Sequence, residues 1–571
     1  MTASDTVGQG FSLAYSYDVN HRLTQIKSPS LLVGEGRGEG ASSTFTFTYD
    51  SSGRRTKLTY PNEVTTNYTY DSSNRLTNLL TQGIKPAKSL RGKAEAILID
   101  SFTYTHDKVG NRLTKVETSP LEGEGRVRGN DGIQYSYSYD TIYRLLQSMP
   151  AKIKHNGTEK EFEHRAENFA YDPVGNRLTG PKEKLSYTYN TSNQLTELTK
   201  QDTSPLVGEG QGEGDKNKTQ FTYDKNGNLT KKIEYDDDGN IKTITLYTYD
   251  FENRLIRVEM QKDGREKIIE FTYDPFGRRL SKSIHREEIE DDEDNDKDDE
   301  DKKHPRATYY VYDNEDIIME YNHKGKVTAR YIHGLGIDEP LAVQKKKGIY
   351  YYHADGLGSV TALTDSKGKV VQRYDYDSFG NLKHHGHKVK QPYTYTGREY
   401  DRETGLYYYR ARYYDAKVGR FISVDPILRG MSHTDTASCK QSIKKFPLDK
   451  PIKLHPFVYT DNNPINYVDP KGLACGPGIV GDIVFPDNWF GWYNFKSACG
   501  EHDNCYATCG SSKTKCDDDF LRNMLEECST LTPNSYWRNH CEGMAYFYYR
   551  GVISIFGKWA YDDAQKKACC K

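Results

Sequence analysis

One short motif recurs through the first half of the chain and constrains what that half can fold into. A segment of alternating polarity ends in Tyr-Asp, a short turn follows, and Arg-Leu or Asn-Leu opens the next segment. Such alternation is typical of strands, and Asp-x-x-Gly or Asp-x-x-Asn is typical of tight turns. The motif occurs at Tyr15, Phe47, Tyr68, Phe169, Phe221, Tyr247 and Phe271, with degenerate copies at His106 and Tyr189. We predict a repetitive β architecture that tolerates inserts at its loop tips.

Inserts of two kinds interrupt the repeats. Near-copies of a Gly/Glu-rich element begin at Ser28, Ser119 and Ser204. We interpret them as flexible loops, because no strand-to-helix context with Lys-Ser/Thr supports phosphate binding. A charged, low-complexity run at 287–304 predicts a disordered loop. It lacks the turn glycine and the terminal ligand of an EF-hand, which argues against calcium binding. Strands are predicted to resume after this run and to continue to about Asp425.

The last 98 residues have a different composition from the rest. They contain nine of the ten cysteines and all four tryptophans. A region so rich in cysteine predicts a disulfide scaffold that folds in an oxidising compartment. We identify no signal peptide and no apolar run long enough to span a membrane, so export needs a dedicated route or an upstream segment. The formal net charge of −2 argues against a nucleic-acid binder driven by bulk charge.

Three segments further along the chain carry a more specific resemblance. They are YYYHADGLGSVTALTDSKGKVVQRYDYDSFG, TGREYDRETGLYYYRARYYDAKVGRFISVDP and NPINYVDPKGL. Together with the repeats they resemble Rhs and YD-repeat proteins over roughly residues 10–473. The resemblance implies a hollow β-shell that encloses a variable C-terminal toxin and cleaves itself between Leu473 and Ala474. It places the acid pair at Asp425 and Asp469, supported by Arg412.

Two carboxylates that share a proton can activate water as an acid and a base. The alternative is that the two Asp-Pro pairs only form turns. Residues 427–457 are an extra segment relative to the family pattern, and they must loop out without displacing Asp425.

The cysteine-rich tail contains one dense group of chemically active residues. If Asn494 to Cys509 were one helix, ended by Gly510, four of its residues would share a face: Cys499, His502, Asp503 and Tyr506. A bridge between Cys505 and Cys516 would clamp a second helix, Lys515 to Leu525, beside the first. That would bring Asp517 towards His502, which could then act as a general base towards water.

A cation site is predicted beside this pair. Asp503 could hold a hard cation, and the glycine loop from Ala474 to Gly478 could direct backbone carbonyls at Ca²⁺. A Cys475–Cys499 bridge would dock that loop beside Asp503. Ca²⁺ and a loop N–H would then stabilise the oxyanion formed during ester hydrolysis.

The string Cys-x-x-His-Asp-x-Cys-Tyr with a downstream Cys-Asp resembles secreted phospholipase A2, most closely its group XII-like and bacterial members. The resemblance implies a His502/Asp517 dyad supported by Tyr506, and Ca²⁺ held by Asp503 and by the carbonyls of Ala474, Gly476 and Gly478. Two departures are Ala498, where many members have a second cysteine, and a loop that is poorer in glycine.

Several alternatives for the tail remain open at this stage. Cys499, His502, Cys505 and Cys509 have spacing that allows zinc. Asp518 or Asp519 could replace Asp517, although Asp517 directly follows the cysteine. The apolar stretch from Met544 to Gln565 predicts a core helix that could also line an acyl channel.

The sequence thus predicts a mainly β protein with a small α-helical, disulfide-rich C-terminal domain. The predicted parts are 1–286, YD repeats; 287–304, acidic loop; 305–473, Rhs core-associated region; and 474–571, phospholipase A2-like domain. We expect a toxin whose tail, freed after Leu473, hydrolyses the sn-2 ester of membrane phospholipids with Ca²⁺.

The expected partners are membrane phospholipids, an immunity protein and delivery proteins, with no nucleic acid. The expected location is a periplasmic or extracellular membrane face after delivery. The alternatives are an adhesive YD-repeat surface protein with a non-catalytic or zinc-binding tail, and an insecticidal toxin-complex shell subunit.

Overall fold

The computed structural model describes part of the chain. The described residues are 2–4, 10–28, 44–85, 95–118, 132–153, 159–161, 166–181, 185–200, 218–286, 306–385, 388–429, 455–473, 488–489, 493–494, 505 and 512–529. The chain divides into two compact units, Met1–Ala474 and Cys475–Lys571. The acidic run at 287–304 and the three Gly/Glu-rich elements lie almost wholly outside the described residues.

The mainly β fold predicted from the repeats is confirmed. The first group of strands is β1 Thr2–Ser4, β2 Gly10–Ser12, β3 Ala14–Tyr17, β4 Leu23–Lys27, β5 Thr44–Tyr49, β6 Arg55–Thr59, β7 Thr65–Tyr70, β8 Leu76–Lys85, β9 Glu95–His106, β10 Arg112–Thr118, β11 Gly132–Tyr139, β12 Leu145–Ile153, β13 Glu159–Glu161 and β14 Glu167–Asn168. Strands β3 to β13 form an antiparallel sheet in chain order, β14 pairs with β12, and β1 pairs with β2.

A second, 18-stranded sheet continues the same meander. Its strands are β15 Ala170–Tyr171, β16 Arg177–Thr179, β17 Leu185–Tyr189, β18 Leu195–Lys200, β19 Lys218–Tyr223, β20 Leu229–Tyr235, β21 Ile241–Tyr249, β22 Leu255–Lys262, β23 Arg265–Tyr273, β24 Arg279–Arg286, β25 Arg306–Asp313, β26 Asp316–Asn322, β27 Val327–His333, β28 Pro340–Lys345, β29 Gly348–Ala354, β30 Val360–Thr364, β31 Val370–Tyr376 and β32 Leu382–His385. Each strand pairs with its neighbours in the chain, so tight turns are the connections that the sequence must specify.

The aspartate of the repeat motif builds the turn that follows it. In the turn after β5, Asp50 accepts hydrogen bonds from the backbone N–H groups of Ser52 and Arg54, at 3.0 and 2.9 Å. Its second carboxylate oxygen lies 2.7 Å from Nε of Arg54. Gly53 has φ of +80°, a conformation that favours glycine or asparagine. The motif therefore encodes a turn in which one side chain satisfies the backbone.

The tyrosine and arginine of the motif connect one repeat to the next. The hydroxyl of Tyr49 donates to the carbonyl of Leu23 in the preceding repeat, at 2.7 Å. Nη1 of Arg54 donates to the carbonyl of Asp71 in the following turn, at 3.1 Å. The same hydroxyl bond occurs in other repeats, for example from Tyr171, Tyr189, Tyr249 and Tyr273. These links let a chain in which only 35% of the residues are hydrophobic stack its repeats.

A third, small sheet follows the meander. Its strands are β33 Glu399–Asp401, β34 Leu406–Tyr409, β35 Arg412–Asp415 and β36 Arg420–Phe421; helix α1 is Pro426–Arg429, and 3₁₀ turns span Tyr395–Gly397 and Thr460–Asn462. We call residues 393–429 and 455–473 the turn-edge segment, because its side chains bond the turns of the large sheet. Such bonds join Tyr408 to Gly277, Tyr407 to Gly380, Tyr414 to Phe379 and Asn462 to Gly175.

The core of this region is rich in buried tyrosine. Leu406, Tyr408 and Ile422 of the turn-edge segment pack in one cluster with residues of the second sheet such as Phe271. Arg279 is fully buried there, with its guanidinium 2.6 Å from Glu399 and 2.5 Å from Asp401. Burial of a charge is tolerated where such pairs satisfy it. The turn-edge segment is therefore fixed firmly on the repeats.

The second unit is described at residues 488–489, 493–494, 505 and 512–529. Strands β37 Asn488–Trp489 and β38 Tyr493–Asn494 pair as a hairpin, and helix α2 spans Lys513–Ser529. The prediction that a helix begins at Asn494 is wrong, because Asn494 belongs to this hairpin, whose aromatic residues favour strands. Helix α2 contains the predicted second helix and extends beyond it at both ends. Among the described residues, no helix is both long and apolar enough to cross a membrane.

Candidate active sites

The acid pair predicted for self-cleavage is assembled on one arginine. Nη2 of Arg412 lies 2.8 Å from Oδ2 of Asp425 and 3.4 Å from Oδ2 of Asp469. All three side chains are buried, with Asp425 fully inaccessible. The guanidinium also stacks 3.6 Å from the ring centroid of Phe421. One guanidinium nitrogen thus contacts a carboxylate oxygen of each aspartate.

Local structure explains why these residues meet. Arg412 is the first residue of β35, opposite Tyr409 across the β34–β35 hairpin. Asp425 directly precedes α1, and its N–H donates to the carbonyl of Pro456 at 3.0 Å. Nη1 of Arg412 donates to the same carbonyl at 3.2 Å. Residues 425 and 456 are therefore joined directly, although most of the extra segment between them lies outside the described residues.

The loop from Asp469 to Leu473 is bonded to Asp469 and to Arg412. The N–H of Leu473 donates to Oδ1 of Asp469 at 3.0 Å, and Nε of Arg412 donates to the carbonyl of Gly472. Gly472 has φ of +65°, and a Cβ there would lie 2.2 Å from the carbonyl oxygen of Tyr409. Only glycine fits this position. Leu473 is half-buried at the end of the loop, while Ala474 lies outside the described residues.

In the tail, the structure describes one member of the predicted dyad. Asp517 lies in α2 and is buried, 3% exposed, with Oδ2 2.5 Å from Nζ of Lys513. Its neighbour Asp518 is exposed, and Asp519 pairs with Arg522 at the surface. Of the three adjacent aspartates, Asp517 alone lies on the buried face of the helix, which also contains Phe520 and Met524.

A disulfide fixes the start of this helix. Cys505 and Cys516 are bonded, with their Cα atoms 5.7 Å apart. Cys528 is also disulfide-bonded. The bond of Cys505 removes one thiolate from the zinc set that its spacing allowed, so the structure disfavours the zinc alternative.

The other predicted residues of the tail site lie outside the described residues. They are His502, Asp503, Tyr506, Ala474, Gly476, Gly478, Cys475 and Cys499. Among the residues that are described, no group of His, Cys, Asp or Glu is arranged to hold a metal ion. The calcium ligands therefore remain predictions.

Sequence reasoning missed two residues beside the cleavage loop. Arg410 donates to the carbonyl of Pro470 and pairs with Asp338, whose carboxylate also lies 2.5 Å from Arg398. For Arg410 a signal was present in the string YYYRARYY. There an Arg-Ala pair between two tyrosine-rich strands predicts a two-residue hairpin turn. Asp338 had no local signal, because it lies 72 positions away from Arg410 in the chain.

Two different protein-family models match the two units of the chain. The teneurin YD-shell family model matches residues 9–296 and 297–465. The model of the group XII secretory phospholipase A2 precursor matches residues 460–571. The two matches meet at the turn-edge segment, and together they cover nearly the whole chain.

The chain spans only a small part of the length of the curated relatives that it matches. The tRNA nuclease WapA of Bacillus subtilis strain 168 is 29% identical over 343 residues, which cover 58% of this chain and 12% of that protein. Salivary gland surface protein 1 of Aedes aegypti is 30% identical over 369 residues, 60% of this chain and 9% of that protein. Double-stranded DNA deaminase toxin A of Burkholderia cenocepacia is 27% identical over 354 residues, 59% of this chain and 21% of that protein.

Solved structures give a weaker likeness. The crystal structure of TcdB2-TccC3 without its hypervariable C-terminal region is 17% identical, with a TM-score of 0.38, and the match covers 81% of this chain and 20% of that chain. The Photorhabdus luminescens Tc holotoxin pore is 16% identical, with a TM-score of 0.35, over 84% of this chain and 21% of that chain.

Proposed function

The chain belongs to the teneurin YD-shell family, and from this premise we propose that it is a toxin that releases its own C-terminal domain, a calcium-dependent phospholipase A2. The observation that carries the release step is the contact of Arg412 with two aspartates: Asp425, which precedes α1, and Asp469, which begins the loop that ends at Leu473. The match of residues 460–571 to the phospholipase family supports the identity of the released domain.

The release step is a hydrolysis. The step requires that one carboxyl group of the pair be protonated and the other ionised. The ionised carboxylate accepts a proton from water, whose oxygen bonds to the carbonyl carbon of Leu473. The protonated acid gives its proton to the nitrogen of Ala474, and the C–N bond breaks. The products are a carboxylate on Leu473 and an amine on Ala474.

In the proposed lipase reaction, the residues of the tail have separate roles. His502 removes a proton from water, and Asp517 holds the imidazole in one tautomer. The burial of Asp517, on the helix that the Cys505–Cys516 bond anchors, supports this positioning role. Calcium, held by Asp503 and by the carbonyls of Ala474, Gly476 and Gly478, would supply a positive charge for the ester oxyanion.

The location proposed for this activity is a periplasmic or extracellular membrane face, reached with delivery proteins, and an immunity protein would protect the producing cell. Disulfide bonds in the tail favour such an oxidising compartment. The substrate is the sn-2 ester of a membrane phospholipid.

A paired-variant assay tests the lipase. The purified full-length chain is incubated with phosphatidylcholine vesicles in Ca²⁺ or in EDTA, and released fatty acid is measured. We expect activity in Ca²⁺ only. His502→Gln should abolish it, while His540→Gln, at another histidine of the tail, should retain it.

The neighbouring aspartates give a second comparison. Asp517→Asn should slow turnover by roughly 10²- to 10⁴-fold, whereas Asp518→Asn at the exposed neighbouring position should leave it unchanged. Wild-type rates for His502→Gln would refute the proposed lipase.

A further inference from the structure

A hairpin tip holds the chain just before the proposed scissile bond. It consists of Arg410 and Ala411, which connect β34 to β35, together with Arg412, the first residue of β35. These three consecutive residues donate hydrogen bonds to three consecutive carbonyls of the loop. The bonds run from Nη1 of Arg410 to Pro470, from the N–H of Ala411 to Lys471 at 3.3 Å, and from Nε of Arg412 to Gly472. We call this set the carbonyl clamp.

We propose that Arg410, fixed by Asp338, is a positioning residue that selects the Leu473–Ala474 bond for cleavage. This inference rests on the proposed self-cleavage. It adds an explanation of why the Leu473–Ala474 bond is cleaved and its neighbours are not. Arg410 contacts neither acid in any bond described for it; its effect passes through the carbonyl of Pro470.

Arg410 is itself held in an unusual conformation. Its φ is +56°, in the left-handed region that few side-chain-bearing residues adopt. Its Nη2 lies 2.8 Å from Oδ1 of Asp338, and its Nη1 lies 3.2 Å from Oδ2. Both carboxylate oxygens are therefore engaged by one guanidinium, which fixes its orientation as well as its position.

Asp338 is in turn fixed by its surroundings. Its side chain is 7% exposed, and Nη1 of Arg398 lies 2.5 Å from Oδ1. Burial opposes ionisation, but the guanidinium groups of Arg398 and Arg410 outweigh it and lower the pKa of Asp338. Because the carboxylate stays charged, Arg410 keeps its anchor across the neutral pH range.

The clamp matters because it sets the register of the loop. Three successive carbonyls are bonded, so a slip of one residue would displace every bond at once. The N–H of Leu473 bonded to Asp469 continues the same register up to the scissile bond. Arg412 belongs to both the carbonyl clamp and the acid site, since it bonds Gly472 and contacts Asp425 and Asp469. Arg410 is the member whose loss would loosen the register and leave the acids in place.

The test follows cleavage of the full-length chain after pulse labelling in cell-free translation. It compares the wild type with Arg410→Ala, Arg410→Lys and Asp338→Asn, and identifies each fragment by its amino terminus. A matched control is Asp401→Asn. Asp401 lies in the turn-edge segment and forms a buried ion pair with Arg279 of β24, but it has no described bond to the loop. Rates are measured from pH 4 to 8.

We expect Arg410→Ala to slow cleavage by roughly 10- to 100-fold, as a displaced reacting group does. Some fragments should begin at residues other than Ala474, and the shape of the pH profile should not change. Arg410→Lys should recover part of the rate, because lysine can still donate to one carbonyl. The cleavage rate of Asp338→Asn should lie between the rates of Arg410→Lys and the wild type.

Two results would overturn the inference. One is wild-type rate with cleavage only at Leu473–Ala474 in Arg410→Ala. The other is equal slowing in Asp401→Asn with no recovery in Arg410→Lys, which would indicate general destabilisation. Asp469→Asn separates this failure from that of the proposed function: if it also cleaves, the acid-pair mechanism is wrong, whereas if it is inert and Arg410→Ala is normal, only the positioning role fails.

Discussion

The repeat sheets and the turn-edge segment gain their order in different ways. In the sheets, one set of bonds is made many times, as in the similar turns at Asp50–Arg54 and Asp250–Arg254. In the turn-edge segment the contacts differ from one another, and the side chain of Arg412 contacts Asp425, Asp469 and the cleavage loop. When a substitution removes one repeated contact, the equivalent contacts in the other repeats remain. When it removes a contact that is made once, no equivalent contact remains. The two regions should therefore respond very differently to equally small changes.

The largest effect is expected at the acid pair. Asp469→Asn keeps the size of the side chain but removes a carboxylate from Arg412, so we expect self-cleavage to fall by roughly 10²- to 10⁴-fold. The measurement is the fraction of intact chain on a denaturing gel over time. Asp461→Asn, at an aspartate of the same segment that is not predicted to act in cleavage, is the control and should cleave normally.

A slightly smaller effect is expected at Gly472. Gly472→Ala must place a Cβ against the carbonyl of Tyr409 at a positive φ, so the loop has to move. A displacement of about 1 Å can cost about 100-fold in rate. Gly405→Ala is a useful control, because Gly405 also has positive φ, of +75°, but its Cβ would meet no atom closer than 3.9 Å. Comparable cleavage in the two variants would show that the close approach at Gly472 is not required.

The tail should depend on its disulfides more than the repeats depend on any single bond. Reduction of Cys505–Cys516 removes a link typically worth about 2–4 kcal/mol from a small unit. We expect lipase activity to be lost in strong reductant, while the β circular dichroism signal of the repeats persists. Full activity in reductant would contradict this account of the tail and would allow it to act in a cytosol.

The smallest effect is expected within the repeats. Tyr49→Phe removes one hydroxyl bond to Leu23, worth about 1 kcal/mol. Because other repeats retain their bonds, thermal unfolding should shift slightly and cleavage should be unchanged. Cleavage lost in Tyr49→Phe would mean that the repeats and the acid site are coupled more tightly than their contacts indicate.

The turns of the repeats could be predicted because each one is determined by residues close together in the sequence. The string Tyr-Asp-x-x-Gly/Asn-Arg encodes the turn within six residues, and the turn forms where it was predicted, for instance at Asp250–Arg254. The role of the tyrosine was not predicted, since its partner, such as Leu23 for Tyr49, lies in the preceding repeat. The sequence contains 46 tyrosines, but this number does not reveal which groups their hydroxyls bond.

The cleavage site was predictable only in part, and for the opposite reason. Asp425, Asp469 and Arg412 were placed by resemblance to a family motif, and the structure brings them together. Asp338 could not be placed, because its contact with Arg410 depends on how the turn after β27 meets the third sheet. The predicted helix from Asn494 fails for a similar reason: spacing alone did not reveal the pairing with Asn488 and Trp489.

The most direct test of self-cleavage follows an oxygen atom from water. The full-length chain is synthesised in H₂¹⁸O, and the two fragments are analysed by mass spectrometry. We predict one fragment that begins at Ala474 and another that ends at Leu473 with ¹⁸O in its new carboxylate, both absent in Asp469→Asn. An intact wild-type chain, a fragment that begins elsewhere, or equal cleavage of Asp469→Asn would contradict the account.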